Sequence, residues 1–209
     1  MCRSSDLTVR VRPSALLTPA FFLLLTDTPA LLAALLLAAF LHELAHYAVL
    51  RLLGVHTACF TLTGLGASLY VPELHRLSYG AELLSAAAGP LLNLLLWVVL
   101  SLTGRDELSL FAGAQMALGV LNLLPVRPMD GGRILWLLTA YLTEPYTADR
   151  VAAAVGLAVS SALFLLCLWL VLTTGNGVFL LLGALWLVYR SLPAELFLPR
   201  RLAKTQKSR

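Results

Sequence analysis

From Thr28 to Leu53 the chain reads TPALLAALLLAAFLHELAHYAVLRLL, an apolar run into which His42-Glu43-Leu44-Ala45-His46 is set. A membrane-crossing helix needs about 20 apolar residues, so the run is long enough to span. Residues four apart share one helix face, which lets the imidazoles of His42 and His46 reach a single metal ion with Glu43 beside them. Three ionisable residues in five positions of such a helix cost several kcal/mol unless they pair or bind something. At this composition the H-E-x-x-H pattern arises by chance in roughly 0.4% of chains of this length. A metal-free polar cluster bonding neighbouring helices is the bland alternative. A catalytic zinc site needs three protein ligands and an open fourth position, so a third ligand has to come from elsewhere.

The rest of the chain suits a membrane. Of 209 residues, 15 are basic and 11 acidic, so 12% are charged, and 59% are hydrophobic. A soluble domain carries about 25% charged residues. With a mean hydropathy of +0.86 there is too little polar surface to clothe a water-soluble globule. Disorder, collagen, a disulfide scaffold and an ordinary cytosolic enzyme are excluded for the chain as a whole. Cys2, Cys59 and Cys167 are odd in number and widely spaced, so they form neither a disulfide framework nor a cysteine metal site. The net charge of +4 gathers at the two ends, which gives no sign of a nucleic-acid partner.

Runs free of Asp, Glu, Lys and Arg mark further spans at Leu83–Gly104, Leu108–Val126 and Val151–Tyr189, the last divided by Thr173-Thr174-Gly175-Asn176-Gly177. The expected fold is an all-α polytopic membrane protein of about six transmembrane helices. They lie near 13–27, 29–53, 81–104, 107–142 with a break near 125–130, 150–173 and 177–192. The first follows Arg3, Arg10 and Arg12, as a signal peptide would, but no clean A-x-A site precedes the next span, so it is read as retained. Alternation at 58–71, around Gly64-Leu65-Gly66, predicts a small membrane-associated β-hairpin between helices 2 and 3. The reading gives one domain over 1–192 and a basic cytoplasmic tail over 193–209. Positive residues near spans stay inside, so a multi-pass cell-membrane protein with both termini cytoplasmic is expected.

Asp130 differs from the other acids, most of which sit at span ends. It lies in Asn122-Leu-Leu-Pro125-Val-Arg-Pro128-Met-Asp130-Gly131-Gly132-Arg133, where two prolines break the helix ladder. Irregular backbone at membrane depth survives only where it lines a cavity or is buried in protein, which makes Asp130 a ligand candidate, although the segment taken alone also reads as a cytoplasmic loop.

The pair of motifs, His42–His46 and Asn122…Asp130-Gly131-Gly132, resembles the site-2 protease family of intramembrane zinc metalloproteases. Glu82 through Ala88-Gly89-Pro90-Leu91-Leu92-Asn93 is a further supporting segment. Within the family, Val11–Leu142 looks most like the branch that includes the sporulation stage IV pro-sigma factor processing protease. The resemblance implies zinc, one ion per chain, held by His42, His46 and Asp130, with Glu43 as the catalytic carboxylate. Ala45 stands where many relatives carry Gly, and the chain stops near the sixth span, without the sporulation protease's C-terminal regulatory domain.

The expected function is zinc-dependent cleavage of a membrane-embedded or membrane-associated protein, with Glu43 as general base. His46 lies eight residues before Gly54, about 12 Å of helix, which places the metal nearer the cytoplasmic face. A helical substrate must be unwound before attack, and adding it as a strand to the hairpin would replace its backbone bonds. Expected partners are a membrane protein or pro-protein substrate, the lipid bilayer and membrane regulator proteins. Asn122, Asn93 and Arg133 are candidates for contacting substrate or oxyanion, with interhelical bonding the plainer role for the two asparagines. Glu82 suits a helix N-terminus. A polytopic metal transporter would normally carry ligands on several spans and an internal repeat. A catalytically silent scaffold would need neither motif.

Overall fold

A computed structural model of the chain describes residues 8–11, 28–55, 59–63, 66–70 and 77–192, the strands by their backbone alone. It divides into two units, Met1–Leu123 and Leu124–Arg209. The expected first span at 13–27, the tail at 193–209, and Cys2, His56 and His75 lie outside the described residues.

In the first unit Pro29, whose ring pre-sets the helical φ, opens α1 (Pro29–Leu52). Its buried residues Ala34, Ala38, His42, His46 and Leu50 recur every four positions, a ridge of the kind that packs into a neighbouring helix. Ser78, accepting from the Ala81 amide at 3.3 Å, caps α2 (Tyr79–Leu102), and Glu82 sits in its first turn, where a carboxylate favours the helix dipole. A single 3-10 turn, Asp106–Leu108, leads into α3 (Ser109–Asn122). The three helices pack against one another, with Ala34, Ala38 and Ala114 forming a small-residue core under Leu35, Phe111 and Leu118. Leu36, Leu37, Phe40 and Leu44 of α1 point outward and are exposed, as apolar side chains are on a helix that faces lipid.

Between α1 and α2 lie strands β2 (Cys59–Thr63) and β3 (Gly66–Tyr70), antiparallel, with Cys59 opposite Tyr70 and Thr63 opposite Gly66. A third strand, β1 (Thr8–Val11), runs parallel to β2 with Thr8 opposite Cys59. The basic N-terminal arm thus carries a strand that the sequence reading did not include. The order is β1-β2-β3, so β2 is paired on both sides and the outer edges belong to β1 and β3.

In the second unit α4 (Asp130–Leu142) and α6 (Val178–Ser191) each pack against α5 (Pro145–Thr174). α5 buries Ala148, Ala152, Gly156 and Ser160, a stripe of small residues four apart that lets backbones approach closely. Ser160 meets Ser191 of α6, hydroxyl to hydroxyl at 3.3 Å.

One expectation is sharpened and one corrected. The span expected over 107–142 with a break near 125–130 is broken at the non-helical residues 123–129, and the break leaves two separate helices, of 14 and 13 residues. Neither reaches the length a bilayer crossing requires, because Pro125 and Pro128 end the hydrogen-bond ladder rather than kink it. The span expected at 150–173 starts five residues earlier, at Pro145, since Asp149 and Arg150 ride on its first turns. Among the described residues three helices, α1, α2 and α5, are long and apolar enough to cross a membrane, and α6 is a shorter apolar helix.

Candidate metal centre

The centre of the first unit is the face that α1 turns toward α2. His42 and His46 are 5% and 8% exposed, buried although both are titratable and lie in an apolar helix. Their rings meet edge to face, with centroids 4.7 Å apart and planes at 82°. The two Nε2 atoms are 3.1 Å apart. Two nitrogens each bound to one tetrahedral zinc at 2.0–2.1 Å would be about 3.3 Å apart. The pair therefore already has the spacing that zinc imposes on its ligands.

Protonation is set from behind. Nδ1 of His46 lies 2.7 Å from the backbone carbonyl oxygen of Ser85. A carbonyl only accepts, so the ring proton sits on Nδ1 and Nε2 presents its lone pair. This is how metal-binding histidines are ordinarily oriented. A hydrogen bond between the two Nε2 atoms would need the proton on His42, and a bound metal ion would stand in that proton's place. The donor set fits zinc.

Gly89 on α2 makes the approach possible. A Cβ there would meet His42 Cε1 at 2.7 Å and His42 Nε2 at 2.8 Å, and would stand closer still to His46 Nε2. Any side chain at this position pushes into the imidazoles. Pro90, next in sequence, has no N–H for the Ala86 carbonyl and so interrupts the ladder beside them. Glu43, adjacent to His42 on the same helix, is half-buried.

Asn93 stands one turn beyond Gly89 and is fully buried; a Cβ on Gly119 of α3 would come within 3.2 Å of its Cβ. Gln115, one turn before Gly119 on α3, is fully buried as well. Neither carboxamide has a hydrogen-bond partner at either end among the described residues. Sequence reasoning missed Gln115. Its signal was available: it is a polar amide in the middle of a helix whose residues from Leu110 to Leu121 are otherwise apolar or small. Asn122, at the end of α3, donates through Nδ2 to the Leu118 carbonyl of its own helix at 3.0 Å.

Asp130 belongs to the second unit, where it is the first residue of α4 and half-buried. The backbone before it turns tightly, the Val126 amide bonding the Leu124 carbonyl at 2.7 Å and the Met129 amide the Val126 carbonyl at 2.8 Å. Arg133 follows Asp130 by three residues and is also half-buried. Of the expected site residues, His42 and His46 are thus in contact on α1 with Glu43 beside them. Asn93 lies one turn along α2 from the glycine that touches both imidazoles.

No protein-family model matches the sequence. The chain nevertheless has the fold of a site-2 protease. It aligns with the structure of the site-2 protease from Methanocaldococcus jannaschii at a TM-score of 0.64, over 91% of this chain and 92% of that one, with 22% identity. In sequence it is similar to Rip3 of Mycobacterium tuberculosis, a zinc metalloprotease by name, with 34% identity over 179 residues, 75% of this chain and 42% of Rip3. It is also similar to a zinc metalloprotease of Methanocaldococcus jannaschii, with 31% identity over 134 residues, 58% of this chain and 38% of that protein. The chain therefore spans about two fifths of the length of these relatives.

Proposed function

We propose that this chain is an intramembrane zinc metalloendopeptidase of the site-2 protease family, cutting a membrane-embedded or membrane-associated protein near the cytoplasmic face. The observation that carries the reading is the His42–His46 pair, with Nε2 atoms 3.1 Å apart on a buried face of an apolar helix. In this reading His42, His46 and Asp130 hold one zinc ion per chain. Support for Asp130 comes from its Asp-Gly-Gly motif and from the similarity to proteins named as zinc metalloproteases.

Bound zinc supplies Lewis-acid polarisation of the scissile carbonyl and a lowered pKa for water. Glu43 is the general base: its carboxylate takes a proton from the attacking water and passes it to the leaving amine. Asn122 keeps one amide hydrogen beyond its bond to Leu118, which is the donor that a developing oxyanion needs. Asn93 retains its full bonding capacity one turn from the imidazoles, and Arg133 brings positive charge close to Asp130 in sequence. An unwound substrate segment adds to the sheet at the outer edge of β1 or β3, since β2 has no edge left to offer.

The same reading takes the chain as a single domain over 1–192 with a basic tail at 193–209, six spans and both termini cytoplasmic. The resemblance of Val11–Leu142 to the sporulation branch keeps a pro-protein beside a membrane protein as a candidate substrate. The test is zinc content together with cleavage of co-expressed single-span and pro-sequence-bearing membrane proteins. Glu43→Gln should keep zinc near the native level and lower cleavage by about 10²–10⁴-fold, the usual worth of general acid–base catalysis. His46→Ala and Asp130→Ala should lose metal and cleavage together. Near-native cleavage by Glu43→Gln overturns the mechanism, and metal uptake into vesicles without cleavage would favour a transporter instead.

A further inference from the structure

The loop that delivers Asp130 is seated in the second unit by contacts that come from three directions. At its back, a Cβ on Gly132 would lie 2.7 Å from the Val126 carbonyl carbon and 2.9 Å from the Arg127 amide nitrogen, so α4's first turn presses directly on the loop backbone. Along α5, the Gly156 position faces the Pro125 carbonyl oxygen at 3.5 Å and the Val126 Cα at 3.7 Å, ordinary contact distances, and Val126 is fully buried. Two turns before Gly156 on the same helix stands Asp149. One of its oxygens, Oδ1, accepts from Arg127 Nη2 of the loop at 3.0 Å and from Trp136 Nε1 of α4 at 2.9 Å.

We propose that Asp149 is a positioning residue for the Asp130 carboxylate, tying the proline loop and α4 to α5 through one shared carboxylate oxygen. The inference rests on the reading of Asp130 as a ligand. The seven residues 123–129 are non-helical; two short backbone bonds, Val126 to Leu124 and Met129 to Val126, shape their turns, and the contacts with α4 and α5 seat the loop as a whole. Arg127 lies three residues before Asp130, and Trp136 six after it, so the two donors grip the chain on either side of the ligand. Arg127 and Asp149 are 54% and 59% exposed, and such a pair contributes little to global stability. Its effect is on where the loop sits. A group bonded directly to a metal ligand typically alters affinity by about 10–100-fold when removed, and Asp149, one residue contact further back, should have a smaller effect.

Zinc affinity in detergent, by chelator competition, and amide hydrogen exchange of Val126 and Met129 read the proposal in two independent ways. Asp149→Ala should weaken zinc binding by about two- to fivefold, below the loss for a group bonded directly to a ligand, and speed exchange at both amides, with the unfolding midpoint nearly unmoved. Asp149→Asn keeps an acceptor for Trp136 but no charge for Arg127, and should fall between native and Asp149→Ala. Native zinc affinity and native exchange in Asp149→Ala overturn the proposal. Asp130→Ala runs beside it: full zinc retention there removes Asp130 as a ligand, while the exchange of Val126 and Met129 in Asp149→Ala still decides whether Asp149 holds the loop. Where Asp149→Ala fails to fold, Arg127→Gln cuts the same tether from the loop side, and unchanged exchange in that variant is equally fatal.

Discussion

Replacing Gly89 by Ala tests the metal centre through a single methyl group. That methyl would stand 2.7 and 2.8 Å from His42 ring atoms, where ordinary contacts begin at 3.4 Å, and closer still to His46 Nε2. Relief requires a displacement of about 0.6–0.7 Å for the His42 ring and more for His46, whereas metal–ligand distances tolerate about 0.2 Å. His46 cannot simply swing away, because its Nδ1–H is bonded to the Ser85 carbonyl at 2.7 Å. Loss of a group behind a ligand costs about 10–100-fold in metal affinity, so displacing the ligands themselves should cost at least about 100-fold. The fold should suffer much less. Overpacking costs about 1–3 kcal/mol, and the better helix propensity of Ala returns about 1 kcal/mol. Chelator competition and thermal unfolding on the same preparation separate the two effects. Gly113→Ala is the control, since nothing lies within 4 Å of a Cβ there; it should leave zinc affinity unchanged and stabilise α3 by about 1 kcal/mol. Native zinc affinity in Gly89→Ala would refute the claim that His42 and His46 bind metal against this turn of α2.

Gln115→Met removes the two orphaned polar atoms of a fully buried carboxamide while nearly conserving volume, and should raise stability to unfolding by about 1–2 kcal/mol. A loss of that size would mean that the amide is satisfied by buried water and that its removal breaks a bond. For topology, reporters fused after Arg209 and inserted near Ser4 should both read cytoplasmic, while one at Gly175 should read external. A C-terminal reporter on the outside would remove the six-span arrangement.

The parts of this protein that were legible in its sequence are those whose partners are near in the chain. His42 and His46 are one helical turn apart, so α-helical geometry alone predicts their meeting, and the apolar run around them sets the helix to within a residue of Pro29–Leu52. The two prolines likewise announced a break near 125–130, although the charge-free run suggested one broken span where the chain builds two short helices. What stayed hidden depends on partners at long separation. Ser85 fixes the tautomer of a histidine 39 residues away through its backbone carbonyl, a group that every residue type carries and no motif marks. Gly89 looked like part of a family signature, and only the packing of α2 on α1 shows that its missing side chain is what admits the imidazoles. Asp149 read as one more solvated acid at a span end, yet it collects donors from residues 22 and 13 positions earlier. The strand Thr8–Val11 alternates as strands do, but its partner begins at Cys59, beyond a whole apolar helix. The chemistry of a site of this kind is written locally in its ligands. Its precision is written in groups that have no local reason to be noticed, which is why the tests with the greatest leverage fall on Gly89 and Asp149 as well as on the histidines.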